Sequence, residues 1–262
     1  MKPRSVRWLT LPLLLLPWFA LSAYADSVNL GTAGSLGVLA GSAVTNTGSS
    51  VIAGNVGVWP GTAVGGFPPG IVSGGTIHVG DAVAQKAQAD LTTAYNATAS
   101  LAPTATLTGQ DLGGMTLTPG VYFFSSSAQL TGTLTLNDLG NPNAVFVFQI
   151  GTTLTTASNS AVVFTSSLTD KNVYWQVGSS ATLGTTTAFT GNILALTSIT
   201  LNNGASIGCG SALAINGAVT LNNNVIGSGC GGVSSVPEPG TMSLMGGGLA
   251  ILAGAAFRKM RL

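Results

Sequence analysis

Short apolar segments alternate with polar, glycine-punctuated segments along most of the chain. The apolar segment 146–150 corresponds to 173–177, and shorter versions occur at 193–196 and 213–215. Each is followed by a Thr-Leu tetrad, and a third short β segment such as 161–164 comes after the tetrad. Alternation with period two is typical of β-strands that have one buried face. The pattern therefore predicts a structural unit of three short strands.

The Thr-Leu tetrads show that this unit is repeated. They are Thr153-Leu154-Thr155-Thr156, Thr182-Leu183-Gly184-Thr185, Thr200-Leu201-Asn202-Asn203 and Thr220-Leu221-Asn222-Asn223. Their first threonines are 29, 18 and 20 residues apart, which places an insertion between the first two units. A period near 20 is short for a helix pair and suits one coil of a β-solenoid. Three strands in each coil predict a three-faced, mainly β structure with Leu, Ile, Val and Phe stacked inside.

One segment breaks the β pattern. Between Asp81 and about Ser100 the chain lacks Gly and Pro, and small apolar residues recur at helical spacing. Asp81 is a suitable N-cap, and the segment ends before Pro103. We predict one long amphipathic α-helix, about 81–100, packed alongside the solenoid.

Both ends of the chain differ from the repetitive region. Residues 1–25 have Lys2, Arg4 and Arg7, then an apolar stretch, then Ala23-Tyr24-Ala25. This order is typical of a secretory signal peptide, and the alternative is a signal anchor that stays in the membrane. The domain between the two ends is 26–235.

The tail 236–262 combines three features. Pro237, Glu238 and Pro239 precede the uncharged stretch 241–257, and a basic end follows. The tail resembles the bacterial PEP-CTERM sorting signal, which an exosortase recognises. The resemblance implies export, processing near Pro237, Glu238 and Pro239, and release from or attachment to the cell surface. A plain C-terminal membrane anchor with a short transmembrane span is the alternative.

Charge narrows the range of partners. Charged residues make up 6% of the chain, against about 25% in typical domains. Residues 26–235 contain six aspartates and two lysines, a net charge of −4. So few cations cannot neutralise many phosphates, which argues against nucleic-acid binding. The aspartates are scattered and His78 is the single histidine, so we predict no catalytic residue, no metal site and no cofactor.

Cys209 and Cys230 are the two cysteines of the chain. Because both fall in the exported part, we predict a disulfide between them. Two free buried thiols are the alternative.

Uncharged Thr, Asn and Ser side chains recur just after the repeated leucines. Thr is stiff at χ1, so an array of such residues holds methyl and hydroxyl groups at nearly fixed positions. An array of this kind can order water into an ice-like layer. The alternative is that these residues merely suit solvent-facing strands and solenoid corners. The candidate ice-contacting residues are Thr47, Ser50, Thr156, Asn159, Thr185, Thr187, Asn203 and Ser206.

Several stretches carry a resemblance to a known family. They are 41–48, 74–78, 117–122 and 216–221. The chain from Leu30 to Ile226 resembles the microbial ice-binding family, which implies a discontinuous right-handed β-solenoid with a flanking helix. The family's Thr-(Ala/Gly)-x-(Thr/Asn) motif is matched at 156–159 and, with Ser last, at 47–50, whereas 185–188 and 203–206 depart from it.

These observations predict an exported, non-enzymatic, monomeric protein that binds ice and inhibits its growth or recrystallisation. The main alternative is a cell-surface adhesion or extracellular-matrix protein, for which exopolysaccharide is a possible partner. A polysaccharide-cleaving enzyme would need a cluster of carboxylates, which the scattered aspartates do not form.

Overall fold

The computed structural model describes residues 27–166 and 172–227. Several sequence predictions lie outside the described residues: the signal peptide 1–25, the tail 236–262 with Pro237, Glu238 and Pro239, and Cys230. Cys209 is disulfide-bonded. Within the two described ranges, no helix is long and apolar enough to cross a membrane.

The described residues form short strands, one 3₁₀ helix (Gly31–Ser35) and one α-helix, α1 (Ala82–Ala99). The strands before α1 are β1 (Leu36–Ala40), β2 (Ala43–Thr47), β3 (Val51–Ala53), β4 (Asn55–Val58), β5 (Ala63–Gly65), β6 (Ile71–Ser73) and β7 (Ile77–Val79). The strands after it are β8 (Ala105–Thr106), β9 (Thr116–Leu117), β10 (Gly120–Phe124), β11 (Ala128–Leu130), β12 (Thr133–Leu136), β13 (Val145–Ile150), β14 (Leu154–Thr156), β15 (Ala161–Phe164), β16 (Asn172–Val177), β17 (Ala181–Leu183), β18 (Ala188–Phe189), β19 (Asn192–Ala195), β20 (Ile199–Leu201), β21 (Ser206–Ile207), β22 (Ala212–Ala214), β23 (Val219–Asn222) and β24 (Val225–Gly227).

Successive strands of each coil enter three parallel sheets. Sheet A has the order β7-β4-β1-β22-β19-β16-β13-β10-β8, sheet B has β11-β14-β17-β20-β23-β2-β5, and sheet C has β6-β3-β24-β21-β18-β15-β12-β9. The strands stack in sequence order except where the first coil (β1–β3) pairs with the last coil (β22–β24). The predicted three-faced, discontinuous β-solenoid is therefore confirmed.

The α-helix makes this discontinuity possible and covers one face. Asp81 caps it by accepting a hydrogen bond from the Ala84 backbone N–H at 2.9 Å. Its apolar side chains pack on the outer face of sheet A; this second core contains Ala87, Leu91 and Ala94 of α1 with Leu36, Leu39, Val121, Val145, Val147, Tyr174, Leu194 and Leu213 of the sheet. Residues 82–99 thus form the predicted helix, and sheet A is closed to large ligands.

An aromatic stack aligns the coils inside the solenoid. Tyr122, Phe148 and Trp175 come from three successive coils, and Phe189 comes from the same coil as Trp175. The ring centroids of Phe148 and Trp175 are 3.8 Å apart, and the Trp175 indole N–H donates to the Thr190 carbonyl at 3.0 Å. Such buried rings favour one register between neighbouring coils. That register determines which side chains line up on the outside.

Candidate functional site

Sheets B and C are the two faces of the solenoid that α1 leaves open. The described strands of both sheets contain no charged side chain. Each strand alternates inward and outward residues, so each face presents every second residue of a strand. Whatever repeats at those outward positions becomes a row that crosses the strands.

A row of threonines runs across the centre of sheet B. We call it the threonine column, and its members in spatial order are Thr155, Thr182, Thr200, Thr220 and Thr45. Each threonine pairs in register with the next, and all five are exposed or half-buried. Neighbouring strands of a sheet lie about 4.7–4.9 Å apart, so the methyl and hydroxyl groups repeat at about that interval. Five identical side chains in consecutive strands form the most regular outward array among the described residues.

The threonine column forms because its neighbours along each strand are apolar. Thr182 lies between the buried Ala181 and Leu183, and Thr200 lies between the buried Ile199 and Leu201. Burial of these flanking side chains fixes which face each strand turns inward. A shift of one residue would bury the threonines and expose the leucines, so the core itself holds the column outward.

The ends of the threonine column and the row beside it are also uncharged. Gln129 pairs with Thr155 at one end, and Gly65 pairs with Thr45 at the other. Two residues farther along the strands, Thr47 pairs with Asn222. Sheet B therefore offers hydroxyl, amide and methyl groups without long charged side chains.

Amide side chains extend this polar surface around the corner between sheets B and C. The Asn223 side-chain amide donates to Asn203 Oδ1 at 2.9 Å, and the Thr186 hydroxyl donates to Asn159 Oδ1 at 2.5 Å. Asn159, Thr186 and Asn223 have φ between 51° and 60°, a left-handed conformation that Asn tolerates well. Hydrogen bonding between coils orders these side chains before any ligand arrives.

The predicted site residues separate into three groups. Thr47, Asn159, Thr185 and Asn203 are exposed at the end of sheet B or at this corner, and Ser206 is half-buried on sheet C. Thr156, Ser50 and Thr187 are buried, with exposed fractions of 3%, 0% and 0%. The eight residues therefore do not form one surface, and these three are excluded from direct contact with any ligand at the surface.

Thr156 shows the physical reason for the difference. The sequence alignment equated Leu154 with Leu183, but the strands pair Leu154 with Ala181 and Thr155 with Thr182. The first tetrad is thus displaced by two residues, and Thr156 takes an inward position like that of Leu130, its partner in the preceding coil. Its hydroxyl lies 2.8 Å from that of Thr187 and accepts from the Gly184 N–H at 2.8 Å. Thr156 belongs to the core.

Sequence reasoning missed the threonine column although a signal for it was present. The threonine that precedes Leu183, Leu201 and Leu221 is the outward residue of its strand in each case. The residues that follow these leucines, which include the predicted Thr185 and Asn203, lie instead at the corner between sheets B and C. Period two, applied within each strand, identifies Thr182, Thr200 and Thr220 directly.

The outer face of sheet C has a different chemistry. One of its rows contains Ala161, Ala188, Ser206, Val225, Val51 and Ile71 in spatial order. Val225 and Ile71 are 56% and 57% exposed. This row changes from small residues to branched aliphatic residues along the solenoid, whereas the threonine column is uniform.

The described carboxylates serve the fold. Asp111 accepts from the backbone N–H groups of Gly113 and Thr131 at 2.7 and 2.9 Å, and Asp90 accepts from the Thr32 N–H at 2.9 Å. The hydrogen bond from the Ala84 N–H, together with His78, holds the pKa of Asp81 below its usual value. Within 27–166 and 172–227, no group of three or more His, Cys, Asp or Glu could hold a metal ion.

Comparison with known proteins adds independent information. Residues 38–227 match the family described as Ice-binding-like, and residues 235–261 match the PEP-CTERM protein-sorting motif. An ice-binding protein of Nostoc sp. (strain HG1) is 57% identical over 247 residues, which cover 92% of this chain and 91% of the relative.

Solved structures show the same architecture. A crystal structure of an ice binding protein from an Antarctic biological consortium has a TM-score of 0.74 and 44% identity, covering 83% of this chain and 95% of its own. The ice-binding protein of the Antarctic ascomycete Antarctomyces psychrotrophicus has a TM-score of 0.73 and 40% identity, covering 78% and 98%. The resemblance read from the sequence is thereby confirmed.

Proposed function

We propose that this chain, which belongs to the ice-binding-like family, binds ice through the outer face of sheet B, with the threonine column at the centre of the contact. Five threonines paired in register across five consecutive strands carry the proposal. Ice is a periodic partner, and this row is the most periodic outward feature of the described residues.

The chemistry of threonine suits a partner made of ordered water. The hydroxyl can donate and accept hydrogen bonds, so it can anchor a water molecule in either orientation. The methyl group offers no hydrogen bond and limits other arrangements of the water beside it. Because χ1 of Thr is stiff and the strands are fixed by the core, little side-chain entropy is lost on adsorption.

Adsorption then results from many weak contacts formed at once. Each contact alone is small, but a rigid array makes all of them without rearrangement. The uncharged surroundings matter because Lys, Arg or carboxylate side chains would hold their own hydration shells against the ice-like layer. The corner pairs Asn203–Asn223 and Asn159–Thr186 extend the contact beyond the sheet.

The sorting motif supports export as part of this function. A match at 235–261 implies handling by an exosortase-type machinery and delivery to the cell surface, where ice can form. We infer that the precursor carries the signal peptide 1–25, and that the monomeric, non-enzymatic solenoid acts outside the cell, released or held at the surface.

The decisive experiment places one bulky residue on each open face of the same coil. Thr200→Tyr enlarges the middle of the threonine column, whereas Ser206→Tyr enlarges the outward row of sheet C. Thermal hysteresis and inhibition of ice recrystallisation are measured for both variants and for the wild type, after circular dichroism shows equal folding. We expect a large loss for Thr200→Tyr and wild-type activity for Ser206→Tyr.

The other outcomes separate two failures. A wild-type protein without either activity would overturn ice binding itself. A loss confined to Ser206→Tyr would keep ice binding and move the contact to sheet C.

Surface adhesion is the second candidate function, and the sorting motif favours it independently of the threonine column. A matrix protein would retain binding to exopolysaccharide at temperatures where no ice exists. Sedimentation of the full chain with exopolysaccharide at room temperature tests this function, and Thr200→Tyr should leave such binding unchanged if it uses another surface.

A further inference from the structure

Three exposed aliphatic side chains lie side by side near one end of sheet C. Val225 of β24 pairs with Val51 of β3, which pairs with Ile71 of β6. Their exposed fractions are 56%, 36% and 57%. We call these three residues the aliphatic patch. Isolated exposed aliphatic residues are common, but three in register in adjacent strands form a continuous apolar strip.

The same end of the solenoid exposes further apolar groups. Ile77 and Val79 of β7, in the terminal coil, and Val83 at the start of α1 have exposed fractions of 36%, 42% and 38%. The described strands of sheet C carry no charge. Six of the nine exposed large hydrophobic residues of the described ranges thus lie at this end, and Leu139, Val163 and Leu196 lie elsewhere.

The chain leaves the described domain at the aliphatic patch. Gly227 ends β24, the strand that contributes Val225. The sorting-motif match begins at residue 235, and the uncharged stretch 241–257 follows. The 13 residues between Gly227 and residue 241 can span at most about 50 Å when fully extended. Any membrane that holds 241–257 therefore lies within reach of the patch.

We propose that the aliphatic patch rests on the surface of the lipid bilayer that holds the sorting tail. This proposal rests on the part of the proposed function that concerns export and sorting to the cell surface. The apolar strip contributes little affinity by itself, but the tether keeps it at high effective concentration near the membrane, and burial of Val and Ile side chains among lipids is favourable. Sheet B is a separate face of the solenoid, so this orientation leaves the threonine column exposed to the surrounding water.

A lipid surface suits the patch better than a second copy of the chain. A stable protein interface buries about 800 Å² on each partner, and a strip three side chains wide is far smaller. A bilayer needs no shape complementarity, and an uncharged protein surface carries little electrostatic penalty there. The three exposed residues are all branched aliphatic groups, which partition readily into apolar surroundings.

The test compares two labels in one coil of the full chain. Val225→Cys on β24 and Thr220→Cys on β23 each receive a small fluorophore without reductant, which leaves the disulfide of Cys209 intact. The proteins are reconstituted into phosphatidylcholine vesicles that contain a lipid with a nitroxide just below the headgroup. We expect severalfold stronger quenching at position 225 than at position 220.

A companion variant checks that the patch causes this proximity. The double substitution Val51→Ser and Ile71→Ser should reduce quenching at position 225 toward that at position 220, while the vesicles still carry the protein in flotation. Unchanged quenching would overturn the proposal, and so would equal quenching at the two labels. A change in the fluorescence spectrum that depends on protein concentration and not on the nitroxide would instead identify a second copy as the occupant.

Flotation and ice assays keep the failures distinct. If the full chain does not float with vesicles, the tail does not tether it to a membrane, and both the sorting proposal and this proposal fail. Thermal hysteresis of the unlabelled full chain reports ice binding separately, because the patch and the threonine column lie on different sheets.

Discussion

Sheets B and C are built by the same coils, yet their outer faces differ. In one coil, β20 places Thr200 on sheet B and β21 places Ser206 on sheet C. Across neighbouring coils the first position remains Thr, whereas the second becomes Ala188 on one side and Val225 on the other. Stacking makes both faces regular in position, but repetition of one residue type makes sheet B regular in chemistry as well.

A second contrast lies within a single strand. Thr155 and Thr156 are adjacent and identical in type, but Thr155 is exposed and Thr156 is 3% exposed. The first joins the threonine column, and the second hydrogen-bonds within the core. The direction of the side chain, and not the residue type, therefore decides whether a threonine lies on the surface or in the core.

The largest effect is expected when charge is added to sheet B. Thr182→Lys with Thr220→Lys places two hydrated ammonium groups in the threonine column, and we expect nearly complete loss of thermal hysteresis. Ala188→Lys with Val225→Lys places the same charges in the same two coils on sheet C, and activity should stay near the wild-type level. Equal losses in both pairs would show that net charge matters more than the face.

The contrast between Thr155 and Thr156 predicts a difference in stability. Thr156→Val leaves the buried Gly184 N–H without its acceptor and removes one hydrogen bond of the Thr187 hydroxyl, which keeps the Ala157 carbonyl as a partner. This loss should lower the free energy of unfolding by about 1–3 kcal/mol. Thr155→Val removes only a solvent-exposed hydroxyl and should change it by less than about 0.5 kcal/mol. Urea titration of both variants measures the difference; similar values would contradict the burial of Thr156.

A smaller effect is expected when the methyl group alone is removed. Thr200→Ser keeps the hydroxyl but frees χ1, so the water-ordering array loses rigidity at one point. We expect a partial loss of thermal hysteresis, smaller than that caused by Thr200→Tyr. Ser206→Thr is the matched change on sheet C and should have no effect. An unaltered Thr200→Ser protein would show that the methyl group is dispensable.

The smallest effect concerns pH. The described strands of sheet B carry no ionisable side chain, so ice activity should stay constant between about pH 5 and 9, where ordinary surface carboxylates and lysines keep their charge. Stability should behave differently in acid. The hydrogen bond from the Ala84 N–H lowers the pKa of Asp81 in the folded protein. Ionised Asp81 therefore adds to the free energy of unfolding at pH values above its ordinary pKa, and this contribution is lost as the pH falls through the lowered pKa.

Thermal unfolding and thermal hysteresis measured over the same pH series separate these two behaviours. Replacement of Asp81 by Asn is the control, because Asn retains an N-capping oxygen that does not titrate. A pH-dependent ice activity in a fully folded protein would point to a titratable group in the contact surface.

Sequence reasoning predicted much of the fold because the main signals are local. The apolar segment 146–150 and its counterpart 173–177 do pair in sheet A, and the segment after Asp81 that lacks Gly and Pro forms α1. These patterns depend on short-range periodicity. The pairing of the first coil with the last depends on residues about 175 positions apart, such as Thr45 and Thr220. The discontinuous solenoid was therefore predicted from the family resemblance and not from a local pattern.

The candidate site was harder to predict for the same reason. Of the predicted residues, Thr47, Asn159, Thr185 and Asn203 are exposed, whereas Ser50, Thr156 and Thr187 are buried. At a corner the chain leaves period two, so the direction of a side chain depends on the turn and not on its position in the strand. The insertion between the first two tetrads added a shift of two residues that only the strand pairing reveals.

The sequence by itself determined the repeating unit, the helix and the scarcity of charge in the middle of the chain, because alternation, capping and composition act over a few residues. Only the tertiary structure decided which of the many threonines form one surface. That choice depends on how coils stack, and stacking is governed by buried side chains such as Phe148 and Trp175. The core sets the register, and the register brings Thr45 beside Thr220 and turns Thr156 inward.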